Sequence, residues 1–182
     1  MFAEQPRRRF TAAEVTRMVE VGILAEDEPL ELIDGELIAM SPQGPVHSLI
    51  TAIIHNELAA AFGAGFLVQS HSPVDAGTDS LPEPDIAVVR GDRRSRPLTH
   101  PGGPDLELVV EVSFTSHRLD RAKAAIYARA GVPAYWHVEV PERRVTVFTD
   151  PVGGEYRSLR IYTDDEHIPV AGARLAVADL LP

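Results

Sequence analysis

"DLELVVEVSFTSHRLDRAKAAIYARAGVPAYWHVEV", Asp105–Val140, carries a strand, a helix and a second strand in one continuous run. Residues 106–113 are dense in aliphatic and β-branched side chains, the composition of a buried strand. Ser116 is placed to cap a helix over about 117–130, and a strand over about 134–140 follows, where Tyr135-Trp136 reads as packing. A helix between two such strands crosses over the sheet and returns to a neighbouring strand.

Into this apolar setting the sequence puts Glu111, between Val109, Val110 and Val112. Strand residues alternate faces, so Leu106, Leu108, Val110 and Val112 are expected on one side. Glu107, Val109, Glu111 and Ser113 then share the other. An ionised carboxylate withdrawn from water costs several kcal/mol unless it is paired. Glu111 therefore needs a partner or a task.

A second acidic strand precedes it. "PEPDIAVV", residues 82–89, sets Asp85 at the head of an apolar run. If the two strands are neighbours, Asp85 and Glu111 could converge at one end of the sheet. Two adjacent carboxylates repel, and a hard divalent cation removes the conflict; Mg²⁺ is held by one or two carboxylates, waters and substrate phosphate. The plainer alternatives are a turn aspartate and a glutamate paired with arginine. Lys123 lies about two turns into the helix that packs back over the sheet, where its long stem could bring an ammonium to the strand's end. Its plainer alternative is a solvated helix lysine.

Working outward, Thr11-Ala-Ala-Glu14 has capping-box spacing and opens a helix over about 12–21, ended by Gly22. "LELIDGELIAM", 30–40, is a hairpin around Asp34-Gly35. "SPQGP" breaks the chain before an amphipathic helix over 45–62, whose apolar side is read as Val46, Leu49, Ile50, Ile53, Ile54, Leu58 and Ala61. Further strands are expected near 65–70, 84–90 and 144–149, and 91–105 is a polar loop. The order describes a mixed α/β domain.

With 182 residues the chain suits one domain, 1–182, with 1–9 as a flexible tail. It has no cysteine, which excludes disulfides, a thiolate nucleophile and a thiolate zinc site. No stretch approaches the roughly 20 apolar residues of a membrane span, and the N-terminus lacks the apolar core of a signal peptide. A cytoplasmic protein without a membrane partner is expected. The net charge of −10 disfavours a protein that grips nucleic acid mainly by charge.

"ELIDGELIAMSPQGPVHSLI", "PEPDIAVV" and the Asp105–Val140 block, in this order, resemble the Uma-type "putative restriction endonuclease" family, a branch of the PD-(D/E)XK nuclease superfamily. The resemblance spans roughly residues 10–180. It implies a restriction-endonuclease-like α/β fold: a mixed β-sheet core flanked by helices, with an N-terminal helix and hairpin. It implies Asp85 as the metal-binding aspartate of the first half-motif and Glu111 as the acidic residue of the second. The lysine expected two positions later is Ser113 here, and Lys123 occupies the place to which it has migrated in this branch. Asp85 and Glu111 would hold Mg²⁺ or Mn²⁺, Lys123 would orient the attacking water, and DNA would be the substrate. Glu36 matches a family position for an extra acidic ligand, or is an exposed hairpin glutamate; Glu31 is a weaker candidate on the other arm. His47 resembles the family histidine, able to touch phosphate or assist proton transfer, or serves as a capping or structural residue.

Glu57, His55 and Tyr127 are secondary candidates: a paired glutamate on the apolar arc, a histidine too far round the helix from His47 to share a metal, and a tyrosine able to steer Lys123 or to fill the core. Arg7–Arg9 form a basic run expected to be solvated. A homodimer is expected from the need to cut two strands, with 136–148 and 159–182 as possible surfaces. A catalytically silent nucleic-acid-binding or assembly module is the alternative function.

Overall fold

The computed structural model describes residues 7–92, 98–114 and 117–181, with side chains omitted for 117–121. Ser116 therefore lies outside the described residues. Six strands form the main sheet in the order β3 (Phe66–Ser70), β4 (Ile86–Arg90), β5 (Leu106–Ser113), β6 (Ala134–Glu139), β7 (Arg144–Val152) and β8 (Glu155–Thr163). Every neighbouring pair is antiparallel except β5 and β6, which are parallel. Parallel neighbours need a crossover, and the helix α3 (His117–Arg129) supplies it, as the spacing of residues 105–140 requires.

One face of the sheet is covered by α2 (Pro45–Phe62) and the C-terminal helix α4 (Val177–Leu180). There Ile50, Ile54 and Leu58 pack on Val88, Leu108, Val110, Trp136 and Val138. The other face is covered by α3, with Tyr127 against Ala87, Val89, Val109 and Tyr135. The N-terminal helix α1 (Ala12–Glu20) begins with the full capping box of Thr11 and Glu14. The hairpin of β1 (Leu30–Ile33) and β2 (Glu36–Ala39) turns through Asp34 and Gly35, both at positive φ, as a tight two-residue turn demands. A small sheet of β9 (His167–Val170) and β10 (Ala173–Ala176) completes the chain.

Several expectations change. The β4–β5 register slips between Val88 and Val89, so Val89 faces Leu106 rather than Glu107. The bulge moves Leu106 into the α3-side cluster with Val109, away from Leu108 and Val110. The buried stripe of α2 is Ile50, Thr51, Ile54 and Leu58, while Val46 and Leu49 are exposed at 54% and 55% and Glu57 is exposed too. β7 continues past residue 149 because Pro151 lies at the end of the hairpin opposite Tyr156, and β8 returns along it. Trp136, Val138 and Val145 are buried, so 136–148 presents no free apolar face; Leu159 and Ile161 on the edge strand β8 do. No helix among the described residues is long and apolar enough to cross a membrane.

Candidate active site

Glu111 is buried, 7% exposed, and its carboxylate Oε1 accepts from Lys123 Nζ at 3.0 Å and from the Tyr127 hydroxyl at 2.7 Å. Both donors sit on α3, one turn apart, as i,i+4 positions on a helix must. Lys123 is itself buried and also donates to Glu31 Oε1 at 2.8 Å. Glu31 comes from β1, and its place has a local cause. It shares a strand face with Ile33, which packs against Ile126 of α3. Two strand positions and one helical turn are comparable lengths, so seating Ile33 on Ile126 seats Glu31 near Lys123. The hairpin is further pinned by Asp34 N to Ser80 Oγ at 3.0 Å and Gly35 N to Asp79 O at 2.7 Å.

One ammonium thus serves two buried carboxylates. Burial pushes the Glu111 carboxyl up to about 7, against the pull of Lys123, with Asp85 and Glu31 adding repulsion. Burial also opposes the charge on Lys123, but Glu111 and Glu31 outweigh it and hold its pKa above the ordinary lysine value. Burial and Glu31 raise Glu83 as well. The region is short of positive charge.

Asp85 stands at the β4 entrance, across the cavity. Its Oδ2 accepts from Val112 N at 2.7 Å, and His47 Nε2 lies 3.2 Å from the same oxygen and 3.1 Å from Val112 O. The Asp85 contact raises the His47 pKa, with burial opposing. On the other side, His71 Nδ1 is 3.7 Å from Asp85 Oδ1 and 2.9 Å from Gln43 Nε2. His71 adopts φ +48°, an uncommon conformation for a non-glycine residue that recurs where side chains are aimed at a site. A cavity of about 870 Å³ collects Glu31, Gln43, His47, His71, Glu83, Asp85, Glu111 and Lys123.

The donor set suits a hard divalent cation. Lys123 and Tyr127 both bond Glu111 through Oε1. Oε2 of Glu111 and Oδ1 of Asp85 are the oxygens a cation would take, in place of the long 3.5 Å bond that Gln43 Nε2 gives Oδ1. Among the described residues no three His, Asp or Glu side chains are grouped closely enough to complete a shell by themselves. Mg²⁺ does not require that, because waters and substrate phosphate fill most of its octahedron.

A family model described as Uma2, "putative restriction endonuclease", matches residues 13–178. The chain belongs to this family. A crystal structure of a "putative nuclease belonging to DUF820" from Anabaena variabilis ATCC 29413 is similar to it, with a TM-score of 0.72 at 20% identity, covering 90% of this chain and 96% of that one. No curated protein matches.

Within this Uma2 chain, five of the six residues singled out with the resemblance line one cavity: Glu31, the weaker candidate, with His47, Asp85, Glu111 and Lys123. Glu36 does not join them. It lies on β2 opposite Ile33, part-exposed, and pairs with Arg7 at 3.6 Å. The hairpin carboxylate in the cavity is Glu31. Gln43, His71 and Glu83 were not singled out; the "PEP" around Glu83 and the breaker cluster holding Gln43 were the signals available. Tyr127 both bonds the cluster and fills the core, its ring tilted against that of Tyr135 at 5.4 Å. His55 bonds Ser70 Oγ at 2.9 Å, outside the cavity. The basic run is exposed but tethered: Arg8 to Glu14, Arg9 to the Asp34 carbonyl.

Proposed function

We propose that this protein is a Mg²⁺- or Mn²⁺-dependent endonuclease that hydrolyses DNA phosphodiester bonds. One observation carries the reading. Asp85 at the entrance to β4, Glu111 on β5 and Lys123 on α3 line a single cavity in which carboxylates outnumber the one ammonium. The Uma2 family description and the nuclease-like fold of the Anabaena protein support it.

Asp85 and Glu111 would hold the cation. When bound, it polarises the phosphodiester and lowers the pKa of water. Tyr127 anchors the Glu111 carboxylate through Oε1, and Val112 N anchors that of Asp85 through Oδ2, so neither carboxylate needs further ordering. Lys123 keeps its proton under the pull of Glu111 and Glu31, and presents it to the attacking water or to charge developing on phosphate. Glu31 anchors that ammonium. His47, with Nε2 against Asp85 Oδ2 and Val112 O and Nδ1 near Thr51 Oγ1, holds the Asp85 carboxylate in place. Cutting both strands of a duplex would engage two copies of the chain.

The test is nicking of supercoiled plasmid, and cutting of single-stranded and branched DNA, with Mg²⁺, Mn²⁺ or EDTA, beside Glu111→Gln and Lys123→Ala. Metal-dependent cutting lost in both variants is expected. Cutting that survives both removes this site assignment. A folded, cation-binding protein that cuts none of these substrates is a nucleic-acid-binding or assembly module instead of a nuclease.

A further inference from the structure

Two apolar residues in the first two turns of α2 lie outside its buried stripe. Val46 and Leu49, three residues apart and therefore on one helix face, are exposed at 54% and 55%. Phe114, the first residue after β5, is 38% exposed, with its ring 6.2 Å from that of His47. Val46 and Phe114 line the same cavity as Asp85, Glu111 and Lys123, and Gln43 completes that rim with a side-chain amide. Scattered exposed apolar residues are ordinary, but several together at the mouth of a polar cavity mark a binding surface.

Phe114 follows Glu111 by three residues, about 10 Å of extended chain. A strand whose phosphate reaches Glu111 has Val46 and Phe114 of the same cavity within reach of an adjacent nucleotide. An aromatic ring and an aliphatic shelf offer a stacking surface. In a duplex both faces of a base are already stacked, so face-on contact with Phe114 requires a base that is unpaired or extruded.

We infer that Val46, Leu49 and Phe114 form a stacking shelf for an unpaired nucleobase beside the scissile phosphate, so that the substrate is single-stranded or locally opened DNA. The inference rests on the nuclease reading for the identity of the strand, and its test does not require cleavage.

The probe is a single-stranded DNA oligonucleotide carrying 2-aminopurine, titrated with the full chain in Ca²⁺, beside the matching duplex. The single strand is expected to change its fluorescence on binding, with a roughly tenfold or greater loss of affinity in Phe114→Ala and recovery in Phe114→Trp. Duplex affinity is expected to be weaker and indifferent to Phe114. Equal binding of both forms, or Phe114→Ala binding like the parent, overturns the shelf. So does a change of oligomeric state in Val46→Asp with the fluorescence response intact, which assigns the patch to a second copy of the chain. Shelf-dependent binding without cutting in Mg²⁺ or Mn²⁺ keeps the shelf and removes hydrolysis. Metal-dependent cutting with no Phe114 effect does the reverse.

Discussion

Glu111 and Glu139 occupy the same face of the sheet on adjacent parallel strands, two register steps apart, and both are buried. Their environments differ in kind. Glu139 receives a guanidinium fork, Arg144 Nε at 2.7 Å and Nη2 at 2.6 Å, plus the Thr146 hydroxyl at 3.0 Å. The Arg144 bonds hold its carboxyl below the usual range, with burial opposing and Thr146 assisting. Glu111 shares a single ammonium with Glu31 and is pushed up to about 7. A structural carboxylate in this sheet is matched one-to-one with a donor fork. A carboxylate left under-matched, beside other carboxylates and a cavity, is arranged for a positive group that arrives from outside.

The contrast breaks most readily on a pair of isosteric changes. Glu111→Gln is expected to reduce DNA cleavage by about a hundredfold or more while leaving thermal stability nearly unchanged or higher, because it removes a poorly compensated buried charge. Glu139→Gln is expected to leave cleavage intact and to lower stability by about 2 kcal/mol, since it uncouples a part-exposed arginine fork. Denaturant melts and plasmid nicking on both variants check this. Equal destabilisation with unchanged cutting in Glu111→Gln would make the two glutamates alike. Lys123→Ala strands Glu111 and Glu31 without a counter-charge, and a loss of about 3 kcal/mol is expected. Millimolar Mg²⁺ should restore more of the melting temperature in this variant than it adds to the parent, by binding the folded state alone. No differential rescue would mean that the cluster does not take a cation.

Residues 105–140 disclosed the crossover, and with it the neighbourhood of Glu111 and Lys123, because periodicity and chain length together permit few topologies. The choice between Glu31 and Glu36 was not legible in the same way. Both flank one turn, and only the seating of Ile33 on Ile126 turns Glu31 inward. Val46 and Leu49 fit the apolar repeat of α2 but project beyond the sheet that covers Ile50 and Ile54, a fact of packing rather than of pattern. β8 escaped because Tyr156 packs with the α3-side cluster and Tyr162 with the α2-side one, while Leu159 and Ile161 are exposed at the edge, which blurs the alternation of a half-buried strand. His71 and Gln43 reach Asp85 from two loops, whose geometry no repeat encodes.

Acid sharpens the comparison further. A folded carboxyl held below its unfolded value contributes stability that is complete above the unfolded pKa and disappears as pH falls through the folded one. Glu139 is such a group, so the stability of the parent should decline between about pH 5 and pH 3 more steeply than that of Glu139→Gln. Equilibrium melts across that range measure the difference. Parallel curves would show that the Arg144 fork does not distinguish the folded from the unfolded carboxylate.

The smallest effect belongs to Glu36, the hairpin glutamate that faces Arg7 instead of the cavity. The pair is open to water, with side chains 38% and 74% exposed and 3.6 Å between their charged atoms. Such pairs contribute less than about 1 kcal/mol and are screened by salt. Glu36→Ala should therefore change stability by no more than that, less again at high ionic strength, and leave cleavage at the parent rate. Glu31→Gln, one strand away, should weaken the hold on Lys123 and slow cleavage without abolishing it. If the two variants exchange these phenotypes, the ion pair with Arg7 opens in solution and β2, not β1, supplies the hairpin's carboxylate to the site.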